Sequence, residues 1–337
     1  MEEFVTAISL LYSIHINGIV SLKPQKVWRI IADEGFFILK LLPYPKEETG
    51  FITDAMAYLD QRGFHRYNEI IPTKENTPCG AYGKNFTLLT KELYGRIPSF
   101  QVEDDVAAVA ACLSDLHRAA VGFFPKHRFA ERIKWGKILA TLDCGKNDLQ
   151  GFATTVAEKA EKDDFDKAFL SYCAFYIRQA EEAITELAPF YPALSEKKEK
   201  SGGFCHHDPA HHNFFINEQK EQKDVFVFDF DYAIADLRAH DVAALLLKIL
   251  KTNHWDTRLA QKAFAVYHSA FPLDREETRF IELLIKYPYD FRHAAFARYT
   301  EKDDSTRIAK KLPRLTREAE QREKALLALN QYFAEES

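Results

Sequence analysis

The sequence is short of glycine and has no excess of positive charge. Its 13 glycines in 337 residues are roughly half the usual share, so few loops depend on glycine. The 45 Lys and Arg residues are outnumbered by 50 Asp and Glu residues, giving a net charge of −5. A protein whose main role is to coat nucleic acid needs a basic surface, so this composition excludes that class.

The sequence also lacks cysteine pairs and long hydrophobic runs. The five cysteines are far apart and predict buried, reduced thiols instead of disulfides or a zinc cage; they are Cys79, Cys112, Cys144, Cys173 and Cys205. Glu2 and Glu3 stand where a signal peptide carries positive charge. Polar residues interrupt the apolar stretch that follows, so no membrane span is expected. The protein is therefore predicted to be made and folded in the cytoplasm.

What the sequence does contain indicates a large folded core in an α+β arrangement. It is 47% hydrophobic and 13% aromatic, and its length favours two lobes. The first hundred residues predict a small unit with two helices, 3–13 and 46–62. Apolar runs bounded by turn residues predict its strands at 26–31, 36–40, 70–73, 79–82 and 86–92.

Helical periodicity dominates from residue 102 onward. The predicted helices cover residues 104–120, 128–142, 163–187, 241–254, 259–269, 275–286 and 314–333. A charged segment at 196–203 is predicted to be a solvated loop, and apolar runs at 214–217 and 225–230 predict a β-hairpin. The layout is a sheet-rich lobe at 1–95 followed by a helical lobe at 96–337.

Several polar residues have the spacing of a phosphoryl-transfer site. Asp208 is followed five residues later by Asn213, and an apolar strand then ends at Asp229 and Asp231. Such a site needs one carboxylate to accept the proton of an attacking hydroxyl, and oxygen ligands to hold Mg²⁺ on the phosphates. Lys40, at the end of a predicted strand, could neutralise phosphate oxygens.

Other interpretations of these residues compete with this one. Four histidines invite a zinc site, although their spacing matches no known zinc pattern; they are His206, His207, His211 and His212. Asp229 and Asp231 also resemble the nucleophile motif of haloacid-dehalogenase-type phosphatases, but Ala233 stands where Thr or Val is usual. Cys205 next to His206 could be drawn as a dyad, yet adjacent residues on a strand point to opposite faces.

In order and spacing, these residues resemble the aminoglycoside phosphotransferase and choline-kinase-like branch of the protein kinase fold. Within that branch the sequence is similar to the CotS family of endospore coat-associated proteins, and to its YutH-like members in particular. The segments that carry the resemblance are 27–30, 35–40, 58–64, 71–73, 113–123, 206–213, 229–238 and 287–291. The resemblance implies a two-lobed kinase-like fold, with the catalytic loop at 206–213 and the metal-binding strand end at 229–231.

The resemblance also implies roles for individual residues in the binding of ATP and Mg²⁺. Asp208 would be the catalytic base, and Asn213 and Asp229 would be Mg²⁺ ligands. Asp231 would be a second acid directed at the metal or the acceptor.

For the nucleotide, Lys40 would hold the α and β phosphates, and the backbone at Glu92 and Leu93 would bind adenine. The helix acid that pairs with the lysine in the family has no obvious counterpart; Glu48 and Asp54 are the nearest substitutes.

Two further positions depart from the family pattern. His207 stands where the family has glycine, and the segment 17–23 has one glycine where a glycine-rich phosphate loop is expected.

Two classes of function follow from these observations and from the resemblance. The first is a MgATP-dependent phosphotransferase that acts on a hydroxyl of a small molecule or a coat component. The second is a catalytically weak or silent pseudokinase that acts as a scaffold in spore coat assembly. Both predict a nucleotide or coat proteins as partners, exclude nucleic acid, and place the protein in or near the spore coat.

Overall fold

The protein forms two compact units, each assembled from separate stretches of the chain. The structure, a computed structural model, describes residues 2–127, 129–218, 224–303 and 305–336. The first unit comprises Met1–Ser99, Ala108–Ile133 and Gly202–Ala235, and the second comprises Phe100–Ala107, Lys134–Ser201 and Asp236–Ser337. These units divide the chain differently from the predicted boundary at residues 95 and 96.

The first unit contains a six-stranded antiparallel sheet. Its strands are β1 (Ile16–Lys23), β2 (Val27–Ala32), β3 (Gly35–Leu42), β4 (Ile70–Ile71), β5 (Gly80–Tyr82) and β6 (Asn85–Lys91). The order is β1-β2-β3-β6-β4, with β5 paired to β6. Side chains alternate between buried and half-buried along β2, as a sheet with one face on a core requires. The strand β1 is not among the predicted strands.

Helices complete the first unit around this sheet. They are α1 (Glu2–Tyr12), α2 (Lys46–Gln61) and the C-terminal part of α3 (Glu103–Ala120). The core under the sheet joins α1 to the strands; its buried members include Ile8, Tyr12, Trp28, Ile30, Phe37, Leu39 and Leu89. Helix α2 ends before Gly63, whose φ of +76° is a left-handed conformation that glycine adopts without strain.

A two-stranded hairpin joins the first unit through backbone hydrogen bonds. It consists of β7 (Phe214–Asn217) and β8 (Asp224–Val227). The N–H of Val227 donates to the carbonyl of Arg66, and Arg96 exchanges hydrogen bonds with Ile216. These contacts explain why residues 202–235 belong to the first unit although they follow residues 134–201 of the second unit.

The second unit is helical. Its helices are α4 (Ile138–Ala157), α5 (Asp164–Leu187), α6 (Tyr191–Ser201), α7 (Arg238–Thr252), α8 (Arg258–Ala270), α9 (Arg275–Lys286), α10 (Tyr289–Tyr299), α11 (Thr306–Arg317) and α12 (Ala319–Glu336). An aromatic-rich core lies among α4, α5, α10 and α11, and includes Leu149, Val156, Phe165, Phe169, Tyr176, Phe291 and Leu312. The predicted α+β class, a β-rich part followed by a mostly helical part, is confirmed.

Two predicted helices have different bounds in the structure. The helix expected at 128–142 is replaced by a 3₁₀ turn at Ala130–Arg132 and by α4; residue 128 lies outside the described residues. Gly136, with a φ of +71°, separates the two. The segment expected to form one helix at 314–333 contains the end of α11 and most of α12. Helix α11 begins earlier than expected, after Ser305, whose side chain accepts a hydrogen bond from the N–H of Ile308.

Three further expectations were incomplete or wrong. Residues 196–201 of the predicted loop at 196–203 are the last part of α6, a helix that is held by the burial of Tyr191 and Leu194. Helix α10 was not predicted; it buries Phe291 and several alanines. Cys144 is exposed, against the expectation of buried thiols. Within the described ranges, no helix has the length and apolar character needed to cross a membrane.

Candidate active site

Lys40 occupies the middle of the sheet in the first unit. It lies on β3, opposite Val27 on β2 and Leu88 on β6. Its ammonium is 2.5 Å from Asp229 Oδ1 and 2.6 Å from Asp231 Oδ1, and its side chain is 15% exposed. Lys40 therefore bridges the two carboxylates that follow β8.

A left-handed residue at the end of β8 brings the two acids to the same side. Asp229 has a φ of +68°, and a 3₁₀ turn at Phe230–Tyr232 follows it. Phe230 is buried between the rings of Tyr67 and His206. This anchors the turn in the core while its acidic neighbours face Lys40.

The electrostatics of the site favour an ionised carboxylate at Asp229. Burial raises the pKa of the Asp229 carboxyl, but the charge and hydrogen bond of Lys40 act in the opposite direction, and together with smaller contributions from other cations they leave this pKa below its usual range. An ionised acid in this position is suited to hold a cation.

The loop with Asp208 is fastened to the residue that precedes Asp229. The amide Nδ2 of Asn213 donates to Asp208 Oδ2 and to the Asp208 carbonyl, both at 2.9 Å. The N–H of Phe228 donates to the Asn213 carbonyl at 3.0 Å. His206 Nε2 is 2.9 Å from the Phe228 carbonyl, which can only accept, so this nitrogen carries the proton. The structure therefore joins Asp208, Asn213 and the acids after β8 in one network.

His207 adopts a backbone conformation that suits glycine. Its φ is +67°, in the region where a side chain costs about 1–2 kcal/mol. This geometry accounts for the glycine that the resemblance led us to expect at this position.

We expect His207→Gly to stabilise the protein by about 1 kcal/mol, because glycine removes the clash of Cβ with the backbone. Urea unfolding followed by circular dichroism measures the change. His15→Gly is the control, since His15 is exposed and is not among the residues with positive φ, so glycine there mainly adds freedom to the unfolded chain. A loss of stability in His207→Gly as large as in the control would contradict the argument.

Glu48 and Asp54 do not contact Lys40. Glu48 accepts hydrogen bonds from Arg132 Nε at 3.1 Å and Nη2 at 2.8 Å. Asp54 accepts from the backbone N–H of His127 and lies 3.0 Å from its Nδ1. The guanidinium of Arg132 is nearly buried and needs a counter-charge, which explains why Glu48 is drawn to it.

The two predicted adenine-binding residues follow the last residue of β6. The carboxylate of Glu92 accepts hydrogen bonds from Arg29, and its N–H donates to the Phe36 carbonyl. In the described part of the chain, the backbone groups of Leu93 make no hydrogen bond to another backbone group. The side chain of Glu92 is thus committed to Arg29, whereas the backbone of Leu93 is available.

Two residues that lie beside the acids are not among the predicted site residues. Lys26, in the turn between β1 and β2, places its ammonium 3.9 Å from Asp231 Oδ2. The hydroxyl of Tyr44 is 3.5 Å from the same oxygen. Burial, followed by the nearby Asp231 carboxylate, raises the pKa of Tyr44 to about 12. In the sequence, Lys23 and Lys26 stand at the two ends of this turn. That pair of positive charges is the feature from which a role of the turn at the site could have been predicted.

The histidine-rich loop places its four histidines in different environments. Across the described ranges, its four histidines provide no group of three whose ligand atoms are close enough to share an ion. His206 is buried and bonded to backbone, whereas His211 and His212 are exposed. Cys205 is fully buried and pairs its backbone with Ile234.

Comparison with known families places most of the chain in one of them. A family model described as "Spore coat putative kinase YutH" matches residues 6–329. Spore coat protein S of Bacillus subtilis (strain 168) is 24% identical over 298 residues, which are 86% of this chain and 82% of that protein.

Solved structures of phosphotransferases share the fold. An aminoglycoside phosphotransferase from Alicyclobacillus acidocaldarius superposes with a TM-score of 0.84 at 23% identity, covering 96% of each chain. A spectinomycin phosphotransferase, solved with ADP and spectinomycin, gives 0.66 at 11% identity over 98% of each chain. Amicoumacin kinase, solved with AMP-PNP and Ca²⁺, gives 0.64 at 14% identity, covering 96% of this chain and 93% of its own.

Proposed function

Because this chain belongs to the family described as "Spore coat putative kinase YutH", we propose that it transfers the γ-phosphoryl group of MgATP to a hydroxyl. The acceptor is a small molecule or a component of the spore coat. The observation that carries the proposal is the single network in which Lys40 bridges Asp229 and Asp231 while Asp208 and Asn213 are fastened to the same strand end.

The side chains of this network divide into a base and a set of metal ligands. Asp208 is positioned as the base that accepts the proton of the attacking hydroxyl. Since Nδ2 of Asn213 is committed to Asp208, its amide oxygen is the atom left for a cation. That oxygen and the carboxylates of Asp229 and Asp231 are the hard ligands that Mg²⁺ prefers. Bound Mg²⁺ would supply positive charge to the phosphate oxygens.

Lysines take the place of a glycine-rich loop in this proposal. The turn between β1 and β2 has no glycine, but it directs Lys26 toward Asp231. Together with Lys40, it offers two ammonium groups to phosphate oxygens. The free backbone of Leu93 after β6 supports adenine binding at that position. ADP in the spectinomycin phosphotransferase and AMP-PNP in amicoumacin kinase support a nucleotide as the ligand.

One observation favours the second candidate, a silent scaffold of the spore coat. Neither acid of α2 that could pair with Lys40 does so, because Glu48 is bound to Arg132 and Asp54 to His127. A lysine held only by the metal-binding acids is less well fixed for a nucleotide. The two candidates differ in one measurable property, the binding of MgATP.

We expect MgATP to raise the melting temperature by a few degrees, and Mg²⁺ alone to raise it much less. A ligand at about a hundred times its dissociation constant stabilises the native state by about 2.7 kcal/mol, which corresponds to a shift on the order of a few degrees. Asp229→Asn should abolish the shift, and Lys26→Gln should reduce it. Differential scanning fluorimetry measures all of these.

Lys84→Gln is the matched control for Lys26→Gln, because Lys84 is an exposed lysine of the turn between β5 and β6. It should leave the shift unchanged. The absence of any shift at millimolar MgATP would refute the phosphotransferase and favour the scaffold.

A further inference from the structure

A concave surface rich in arginine lies in the first unit, at the end of α2 and beside α3. Its open volume is about 560 Å³, and it is lined by Arg62, Gly63, Phe64, His65, Arg66, Asp115, Arg118 and Ala119. We call it the arginine concavity. None of the residues assigned to nucleotide or metal binding lines it.

Asp115 holds two of the arginines in place. Arg66 Nη2 donates to Asp115 Oδ2 at 2.5 Å, and Arg118 Nη2 donates to Asp115 Oδ1. The guanidinium of Arg66 also lies 5.2 Å from the centroid of the Phe64 ring, which favours a fixed cation. Two guanidinium groups are thus directed into the concavity before any ligand arrives, which lowers the entropic cost of binding.

Positive charge in the concavity exceeds negative charge. Arg62, Arg66 and Arg118 face a single lining carboxylate, Asp115. Among the described residues, the side chain of Arg62 makes neither an ion pair nor a hydrogen bond, and Arg66 uses one of its five N–H donors. The whole protein has a net charge of −5. The excess of positive charge at this surface is therefore opposite in sign to that of the protein.

We propose that the arginine concavity binds a phosphate group of a phosphate ester or phosphoanhydride. Guanidinium groups bind phosphate through paired N–H donors, and Arg62 and Arg66 both have such donors left over. The concavity is larger than a phosphate ion, so it also has room for the group that bears the phosphate. The surface differs from the proposed active site and depends on none of its residues.

Isothermal titration calorimetry on the full chain without Mg²⁺ tests the proposal with three probes. They are inorganic pyrophosphate, a phosphoserine peptide and the same peptide with unmodified serine. We expect the phosphorylated probes to bind and the unmodified peptide not to bind. Binding of pyrophosphate alone would identify a free anion as the ligand, and binding of the phosphopeptide would identify a modified side chain.

Arg62→Gln removes an exposed guanidinium that makes no ion pair or hydrogen bond with the described residues, so the variant should fold normally. We expect it to weaken the binding of the phosphorylated probes about tenfold and to leave the MgATP-induced thermal shift unchanged. Arg317→Gln, which removes an exposed arginine of α11, is the matched control. Equal binding by Arg62→Gln and wild type, or no binding of either phosphorylated probe at millimolar concentration, would overturn the proposal.

Discussion

Replacing Asp208 by asparagine is expected to lower phosphoryl transfer about 10²- to 10⁴-fold, the usual contribution of a positioned general base. The amide has nearly the shape of the carboxylate but cannot accept the proton of an attacking hydroxyl. It keeps contact with Asn213, whose Nδ2 lies 2.9 Å from Asp208 Oδ2, so the loop should retain its conformation. The binding of MgATP should therefore change much less than the rate.

The measurement uses ATP labelled at the γ phosphate, Mg²⁺ and an extract of sporulating cells as the source of acceptors. Label incorporated with wild type and with Asp208→Asn is compared. Asp164→Asn is the control, because it changes a fully exposed acid on α5. Equal incorporation by wild type and Asp208→Asn would refute the role of Asp208 as base. No incorporation by wild type would favour the scaffold.

Arg238→Met should destabilise the protein by about 3 kcal/mol, as expected when one partner of a buried ion pair is removed. Glu277 is 1% exposed and accepts hydrogen bonds at 2.8 Å from Arg238 Nε and Nη2. Lys198 also lies 2.9 Å from this carboxylate and would keep part of the compensation. Urea unfolding gives the change in the free energy of unfolding.

Two comparisons separate the buried charge from other effects. The double variant Arg238→Met/Glu277→Met buries neither charge and should lose less stability than the sum of the single variants. Arg258→Met breaks a largely exposed pair with Glu103 and should cost less than about 1 kcal/mol. Additive losses in the double variant would show that the pair is not coupled.

The same carboxylate predicts a dependence on pH. Burial raises the pKa of Glu277, but the hydrogen bond and charge of Arg238, with Lys198, lower it by more, so its net shift is downward. A carboxylate with a depressed pKa stabilises the folded state at pH values above its pKa in the unfolded chain, which is about 4.3 for Glu. That contribution is lost as pH falls through the lower, folded value. In Arg238→Met the loss should begin at a higher pH, which circular dichroism between pH 7 and pH 3 would reveal.

The fold class and the family were predictable from the sequence because their signals are local. Apolar runs bounded by turn residues marked β2 and β3, and helical periodicity marked α2, α5 and α9. The spacing of Asp208, Asn213 and Asp229 belongs to a loop and a hairpin that are close in sequence. The family match confirms the predicted family, and the superposed phosphotransferase structure confirms the predicted α+β kinase-like fold.

The partners of the site residues were not predictable, because they depend on contacts between distant segments. Lys40 meets Asp229 across 189 residues, and no spacing rule indicates that meeting. The position of Glu48 on α2 suggested it as the partner of Lys40. In the structure Glu48 instead supplies the counter-charge that the buried guanidinium of Arg132 needs. Lys26 was not predicted because the phosphate loop was sought at 17–23, a segment that forms most of β1. The roles assigned to all these residues stay predictions until they are measured.

The uneven accessibility of the five thiols has a practical consequence for experiments. Cys112, Cys173 and Cys205 are buried, Cys79 is half-buried, and Cys144 on α4 is exposed. Burial raises the pKa of Cys112 to about 12, which keeps that thiol protonated and unreactive. A maleimide dye added to the native protein therefore has one well-exposed attachment point, on the helical unit. This gives single-molecule fluorescence a site-specific reporter without any engineered cysteine.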